Sequence, residues 1–302
     1  MLVQMSQRVG KLGIGTVQFG LAYGVTNARG RVPESDAAAI VETAVAAGVD
    51  LFDTAAAYGD SESVLGRILP SGAMRVVSKL SAIHADTIGE DVIAQCRASV
   101  ARSLAESRRS QLYGLLLHRP DDLRKPGRNR LIALLAELKA QGLVAKVGVS
   151  AYERGQIETA LDLLPVDLVQ VPFNLADQRL LRDGTLARLK QRNVEVHARS
   201  AFLQGALLAE PAALPPHFVP HRDRLTRLGE LAGRNGLSRL ALCLRFVLER
   251  PEIDAAIVGV TAPPELDQIL AAARDETPLP AGLDSLATDD PRLINPSLWP
   301  PR

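Results

Sequence analysis

An aspartate that ends an apolar run and a tyrosine in the loop behind it are the residues from which this sequence could build chemistry. Val49, Leu51 and Phe52 lead into Asp53, and Thr54 to Ala57 lead on to Tyr58 and Gly59. A buried strand does not need a carboxylate at its end, and a loop does not need a phenol. If both face one pocket, the carboxylate can hold a cation, and the cation can stabilise a phenolate. A free phenol titrates near pH ~10, so it is a reluctant acid at neutrality without such help. The pattern then requires a basic residue at the end of a neighbouring strand and a polar group completing the pocket. Lys79 ends the next apolar run, and His118 follows the one after it.

The elements that must position these residues alternate between short apolar runs and longer helical patterns. The runs predict strands over Leu12 to Phe19, Val49 to Asp53, Arg75 to Lys79, Leu112 to Leu117, Val144 to Val149, Leu168 to Val171, Val194 to Ala198 and Ala255 to Val258. In the first, Gly13 and Gly15 mark close backbone approach. Helical periodicity predicts Ala37 to Ala47 with Ser35 as N-cap and Gly48 as terminator, Ser61 to Leu69, Thr87 to Leu104, Asn129 to Gln141, Glu153 to Leu163 and Thr185 to Arg192. Arg222 to Arg234, Ser238 to Leu248 and Pro264 to Ala273 follow. Near-continuous apolar strands in regular βα alternation imply a parallel sheet covered on both faces. Eight such units imply an α/β fold closed as a single-domain (β/α)8 TIM barrel, over about residues 11–273 of the domain 1–302. A doubly wound sheet would carry a GxGxxG turn early, and Gly13 to Gln18 lacks the third glycine. Leu203 to His221 is a candidate lid loop after strand seven. The tail, 274–302, has six prolines from Pro278 onward and little periodicity.

Composition excludes several classes. The 302 residues are 47% hydrophobic and 23% charged, which suits one large core. A net charge of +1 gives no electrostatic footing for nucleic acid or an anionic membrane. Cys96 and Cys243 make no disulfide framework, no run reaches membrane-span length, and Met1 to Arg8 has no signal-peptide core. The expected location is cytoplasmic. No metal site is expected, because Pro215, Pro216 and Pro220 prevent the helix that a His217–His221 pair would need.

In their order on successive segments, Asp53, Tyr58, Lys79 and His118 resemble the catalytic tetrad of the aldo-keto reductases. Gly15-Thr16, Asp53-Thr54-Ala55, Gly148-Val149-Ser150, Gln170 to Asn174 and Gly205 to Leu208 agree, and the resemblance runs from about residue 11 to 273. It implies a nicotinamide cofactor, NAD(P)H, and interconversion of an aldehyde, ketone or sugar with its alcohol. Tyr58 would be the general acid in reduction and the base in oxidation, Lys79 would stabilise its anion, Asp53 would hold Lys79, and His118 would donate to the substrate oxygen. Ser150 and Gln170 would hold the carboxamide with Asn174 close by. Gly15, Thr16, Arg199, Ser200, Phe202, Gln204, Gly259, Thr261, Glu265 and Gln268 would line the rest of the cofactor. Tyr23, His84 and Trp299 are the candidates to face the substrate, the other readings being a solvated loop position for His84 and a pin for the tail for Trp299.

Two positions depart from the family pattern. Ala151 stands where many relatives place Asn, removing a carboxamide contact. Arg199 stands where many stack a Tyr on the nicotinamide, and a planar guanidinium can stack there too. The stretch Gly259 to Gln268 lacks the basic clamp of NADP-dependent relatives and carries Glu265 and Asp267, which implies a preference for NAD(H). A catalytically silent NAD(H)-binding regulatory protein, with a protein partner, is the alternative on the same fold. The largely apolar lid leans toward a small, uncharged carbonyl.

Overall fold

The computed structural model describes residues 8–300, so nearly all of the stretch read for a signal sequence, and Pro301 and Arg302 of the tail, lie outside the described residues. Eight strands run Leu12–Gly15 (β1), Leu51–Asp53 (β2), Arg75–Leu80 (β3), Leu112–Leu117 (β4), Val144–Ser150 (β5), Leu168–Pro172 (β6), Glu195–Arg199 (β7) and Ala255–Gly259 (β8). They close into a barrel in chain order, and β8 pairs in parallel with β1 through Gly15 and Gly259. Helices cover the outside. Glu34–Ala46 buries Ile40, Val41 and Ala44, and Glu90–Glu106 buries Val92, Ile93, Cys96 and Val100. These faces join the outward-facing strand residues in one continuous core. At roughly 1.5–3 kcal/mol for each fully buried aliphatic side chain, this shell is the main force closing the barrel.

Inside the barrel, strand alternation sorts residues by height. Side chains two apart on a strand share a face. Leu51, Val77, Leu116, Leu168, Ala255 and Ile257 form a separate apolar cluster within the barrel. A Cβ on Gly114 of β4 would stand 2.9 Å from Leu168 on β6, two strands away, which marks the interior. Two residues beyond Leu51, Val77, Leu116 and Leu168 come Asp53, Lys79, His118 and Gln170. The apolar layer is therefore the floor on which the polar residues stand.

Several boundaries differ from the sequence expectation. β1 stops at Gly15 rather than Phe19, and Val17–Gly20 is a single helical turn. The chain turns at Thr16: its N–H and its hydroxyl both donate to the Asp53 carbonyl, at 2.9 and 3.0 Å, while its own carbonyl accepts from the Phe19 N–H at 2.9 Å and opens the helical turn. The first long helix starts at Glu34 after Pro33, so Ser35 lies inside it and caps nothing. The helix expected from Thr87 begins at Glu90 and runs to Glu106. The short Pro120–Arg124 and Arg179–Arg182 helices are too brief to leave a periodic signal. After β7 the chain passes through turns and two 3-10 segments, Pro211–Ala213 and Pro216–His221. The tail returns to this region, where Arg224 donates to the Leu286 and Ala287 carbonyls at 2.9 and 2.6 Å. No helix among the described residues is long and apolar enough to cross a membrane.

Candidate active site

A buried ion pair anchors the site. Lys79 Nζ donates to Asp53 Oδ1 at 2.5 Å and to the Thr54 carbonyl at 2.9 Å, and Gln170 Nε2 donates to Asp53 Oδ2 at 2.7 Å. The two charged side chains are only 1% and 6% exposed, so the pair survives because its remaining hydrogen-bonding capacity is filled. Burial works against the Lys79 charge, but the Asp53 carboxylate and the Tyr58 phenol outweigh it, and the ammonium titrates above its ordinary range.

Tyr58 reaches this pair from the loop after β2. Gly59 takes a left-handed φ of +60°, and a Cβ on Gly20 would stand 1.8 Å from the Tyr58 carbonyl. Only glycine fits the second position, and glycine suits the first, so the loop packs tightly on the turn after β1. Ser61 Oγ locks both segments by donating to the Thr16 carbonyl at 2.7 Å. Lys79 Nζ then lies 5.0 Å from the Tyr58 ring centroid, and His118 meets the same ring edge-on at 5.8 Å. Burial, then the Lys79 cation, pushes the His118 imidazole down to about 4, with Arg199 adding to the effect and Asp53 opposing it. His118 is thus neutral at pH 7 and keeps an N–H to donate.

These groups open onto a cavity of about 580 Å³ at the C-terminal end of the barrel, within the ~300–1,000 Å³ range of small-molecule sites. Asp53, Tyr58 and His118 line it, with Lys79 behind them. Of the residues expected around a cofactor, Gly15, Thr16, Ser150, Gln170, Arg199, Ser200, Phe202, Gln204, Gly259, Thr261, Glu265 and Gln268 line it as well. Asn174 does not. Its amide donates to the Ser200 carbonyl at 3.0 Å and its Oδ1 accepts from the Ala176 and Asp177 backbones, so it braces the turn leaving β7. Of the expected substrate residues only Tyr23 lines the cavity. His84 is exposed on a loop. Trp299 donates to the Arg292 carbonyl at 3.0 Å and packs edge-on against Phe218 at 5.0 Å, pinning the tail.

Tyr152 and Gln18 are among the lining residues that the sequence does not single out. Tyr152 holds the Arg199 guanidinium 4.1 Å over its ring, so Arg199 already has an aromatic partner within the protein. Its signal was available, because it stands two residues beyond Ser150. Gln18 is 8% exposed, and its Oε1 has no hydrogen-bond partner among the described residues. It sat inside what periodicity read as a strand, where it carried no signal.

The cavity suits a nicotinamide dinucleotide. Gly15 and Gly259 leave the wall between β1 and β8 bare, where a Cβ on Gly259 would stand 2.5 Å from Gln18 Nε2. The orphaned Gln18 oxygen calls for a donor such as a hydroxyl or an amide. Among the described residues no group of His, Cys, Asp and Glu could hold a metal ion.

Comparison with known proteins agrees. The model of the Aldo/keto reductase family matches residues 11–281. An oxidoreductase of Mycobacterium tuberculosis is 32% identical over 320 residues, covering 96% of this chain and 91% of that protein. L-galactose dehydrogenase of Arabidopsis thaliana is 27% identical over 308 residues, covering 95% and 89%. Among solved structures, the holo form of an aldo-keto reductase from Bacillus halodurans superposes with a TM-score of 0.73 over 91% of this chain and 90% of that one, at 20% identity, which is a likeness of fold. A family match over most of the chain, on a closed eight-stranded barrel, decides the matter: this chain belongs to the aldo/keto reductase family of nicotinamide-using oxidoreductases.

Proposed function

We propose that this protein interconverts a carbonyl compound (an aldehyde, ketone or sugar) and its alcohol, with Tyr58 as general acid in reduction and general base in oxidation. The observation that carries the reading is the buried Asp53–Lys79 pair set against Tyr58, with His118 edge-on to the same ring and both rings on one cavity. When bound, the cofactor supplies or accepts the hydride. Tyr58 gives its proton to the carbonyl oxygen as charge builds there. Lys79 stabilises the phenolate left behind, and Asp53 keeps Lys79 charged and in place. His118, being neutral, donates an N–H to the same oxygen and orients it.

Ser150 and Gln170 are the residues assigned to the carboxamide. Their mutual contact, Ser150 Oγ to Gln170 Oε1, is long at 3.4 Å, which leaves both able to take a new partner. Ala151 supplies none. At the far end, Glu265 is held by the Thr261 N–H and hydroxyl, each at 2.7 Å, and faces the cavity without a basic neighbour between Gly259 and Gln268. A fixed carboxylate suits a free ribose 2′-OH and repels a 2′-phosphate, so NAD(H) is preferred over NADP(H). Tyr23 and Gln204 bridge the mouth through a 3.0 Å hydrogen bond, which gives the lid after β7 its latch. The two buried thiols, Cys96 and Cys243, suit a reducing cytoplasm.

Steady-state NADH oxidation over a panel of carbonyls, with cofactor Kd values from fluorescence quenching, tests this reading. NADH-dependent turnover is expected, with Kd for NADH about tenfold below that for NADPH. Tight NADH binding with no turnover on any carbonyl would instead support the silent regulatory protein. Tighter NADPH binding would refute the cofactor preference alone.

A further inference from the structure

We infer that the carbonyl substrate carries an oxyanion, a carboxylate or phosphate near the reacting carbon, and that Arg199 selects it. The inference rests on the oxidoreductase reading above and names its substrate class. Arg199 is the last residue of β7, and its side chain lines the cavity that holds Tyr58 and His118. Its side-chain partners among the described residues are the Tyr152 ring at 4.1 Å and a 3.5 Å contact to Ser200 Oγ. Neither is a carboxylate. The two acids on the cavity wall are committed elsewhere, Asp53 to Lys79 and Gln170, and Glu265 to Thr261.

The reacting end of the cavity therefore carries two cations, Lys79 and Arg199, against one anion, Asp53. A half-buried guanidinium is normally paired, because an uncompensated charge away from water is costly. Here the open place beside it is the ligand cavity. The Tyr152 ring covers one face of the guanidinium and fixes its plane, which leaves the N–H edges to meet a planar or tetrahedral oxyanion. Burial and Lys79 dominate the lowered His118 basicity, and the Arg199 charge adds to them as the smallest contribution. The apolar composition of Leu203 to His221 does not oppose this. Leu203, Ala206, Leu207 and Phe218 are buried in the core, and only Gln204, Gly205 and Leu208 of that segment line the cavity.

Matched aldehydes test the inference: 4-carboxybenzaldehyde against its methyl ester, and glyceraldehyde 3-phosphate against glyceraldehyde, each with NADH. In at least one pair, kcat/KM is expected to favour the charged member by about tenfold or more, and the preferred pair distinguishes carboxylate from phosphate. Arg199→Gln should collapse that ratio, chiefly through KM, and Arg199→Lys should retain part of it. Binding of benzoate and of inorganic phosphate to the enzyme–NADH complex gives a readout without turnover, and at least one should depend on Arg199. Uncharged members reduced as well as charged ones by the unaltered protein would overturn the inference and leave carbonyl reduction standing. An unchanged ratio in Arg199→Gln with weakened NADH binding would overturn it by assigning Arg199 to the cofactor. Arg199-dependent anion binding without any turnover would support the anion site while defeating the oxidoreductase reading.

Discussion

The two ends of the barrel interior hold the same kinds of side chain and use them differently. On the C-terminal side stand Asp53, Tyr58, Lys79 and His118. On the N-terminal side stand Glu195, Tyr113, Lys146 and His197, early in β7, β4 and β5. The lower set closes on itself. Tyr113 Oη donates to Glu195 Oε2 at 2.8 Å, Lys146 Nζ donates to Tyr113 Oη at 2.8 Å and also to Glu195, and His197 Nε2 lies 2.7 Å from Glu195 Oε1. In the upper set the carboxylate is filled by Lys79 and Gln170 instead, so the phenol and the imidazole front a cavity. Residue type does not separate a cluster that fronts a cavity from one that closes on itself. What separates them is whether the phenol's proton is already committed to a carboxylate.

Removing one hydroxyl at each end separates the two clusters by the largest margin. Tyr58→Phe is expected to lower kcat by roughly 10²–10⁴ while Kd for NADH holds. Tyr113→Phe should leave kcat within about twofold and cost ~1 kcal/mol of unfolding free energy. Comparable losses of turnover in both variants would erase the distinction.

The charge partners come next. Lys79→Met strands the buried Asp53 carboxylate and should cost ~3–5 kcal/mol in urea unfolding. Glu195→Gln removes an anion that is 13% exposed and should cost less, ~1–3 kcal/mol, with turnover retained. A larger loss at Glu195 would show that the lower cluster is the tighter of the two.

The pH dependence of stability separates the two ends by window. His118 titrates at about 4 in the folded protein against an ordinary 6.5, so the folded state favours its neutral form. That stability is present above pH 6.5 and is lost as pH falls toward 4. Glu195 is held at about 2 against an ordinary 4.5, because bonds from His197, Lys146 and Tyr113 outweigh its burial. Its stability is present above pH 4.5 and is lost as pH falls toward 2. Urea midpoints across pH should therefore flatten between 6.5 and 4 in His118→Gln, and between 4.5 and 2 in Glu195→Gln. A profile unchanged by either substitution would refute the assignment of that window.

Much of this is legible in sequence, for reasons that differ by residue. Asp53 and Lys79 can be read because a strand's period of two forces each onto the inward face above Leu51 and Val77. His118 and Ser150 follow in the same way. Asn174, His84 and Trp299 stand off the cavity wall, on loops or in the tail, where no period constrains a side chain's direction. The end of β1 shows the same limit in the backbone: the chain turns into a helical turn at Thr16 where local pattern continues the strand.

Local pattern alone therefore determined the eight-stranded barrel and the inward positions of Asp53, Lys79, His118 and Ser150, since each depends on strand alternation. Tertiary structure decided the rest. It set Tyr152 under Arg199, left that cation without an acid among the described residues, and turned one Tyr–Lys–His–carboxylate cluster toward a cavity while closing the other. Those outcomes depend on which distant side chain fills each hydrogen-bonding position, and sequence spacing does not encode that.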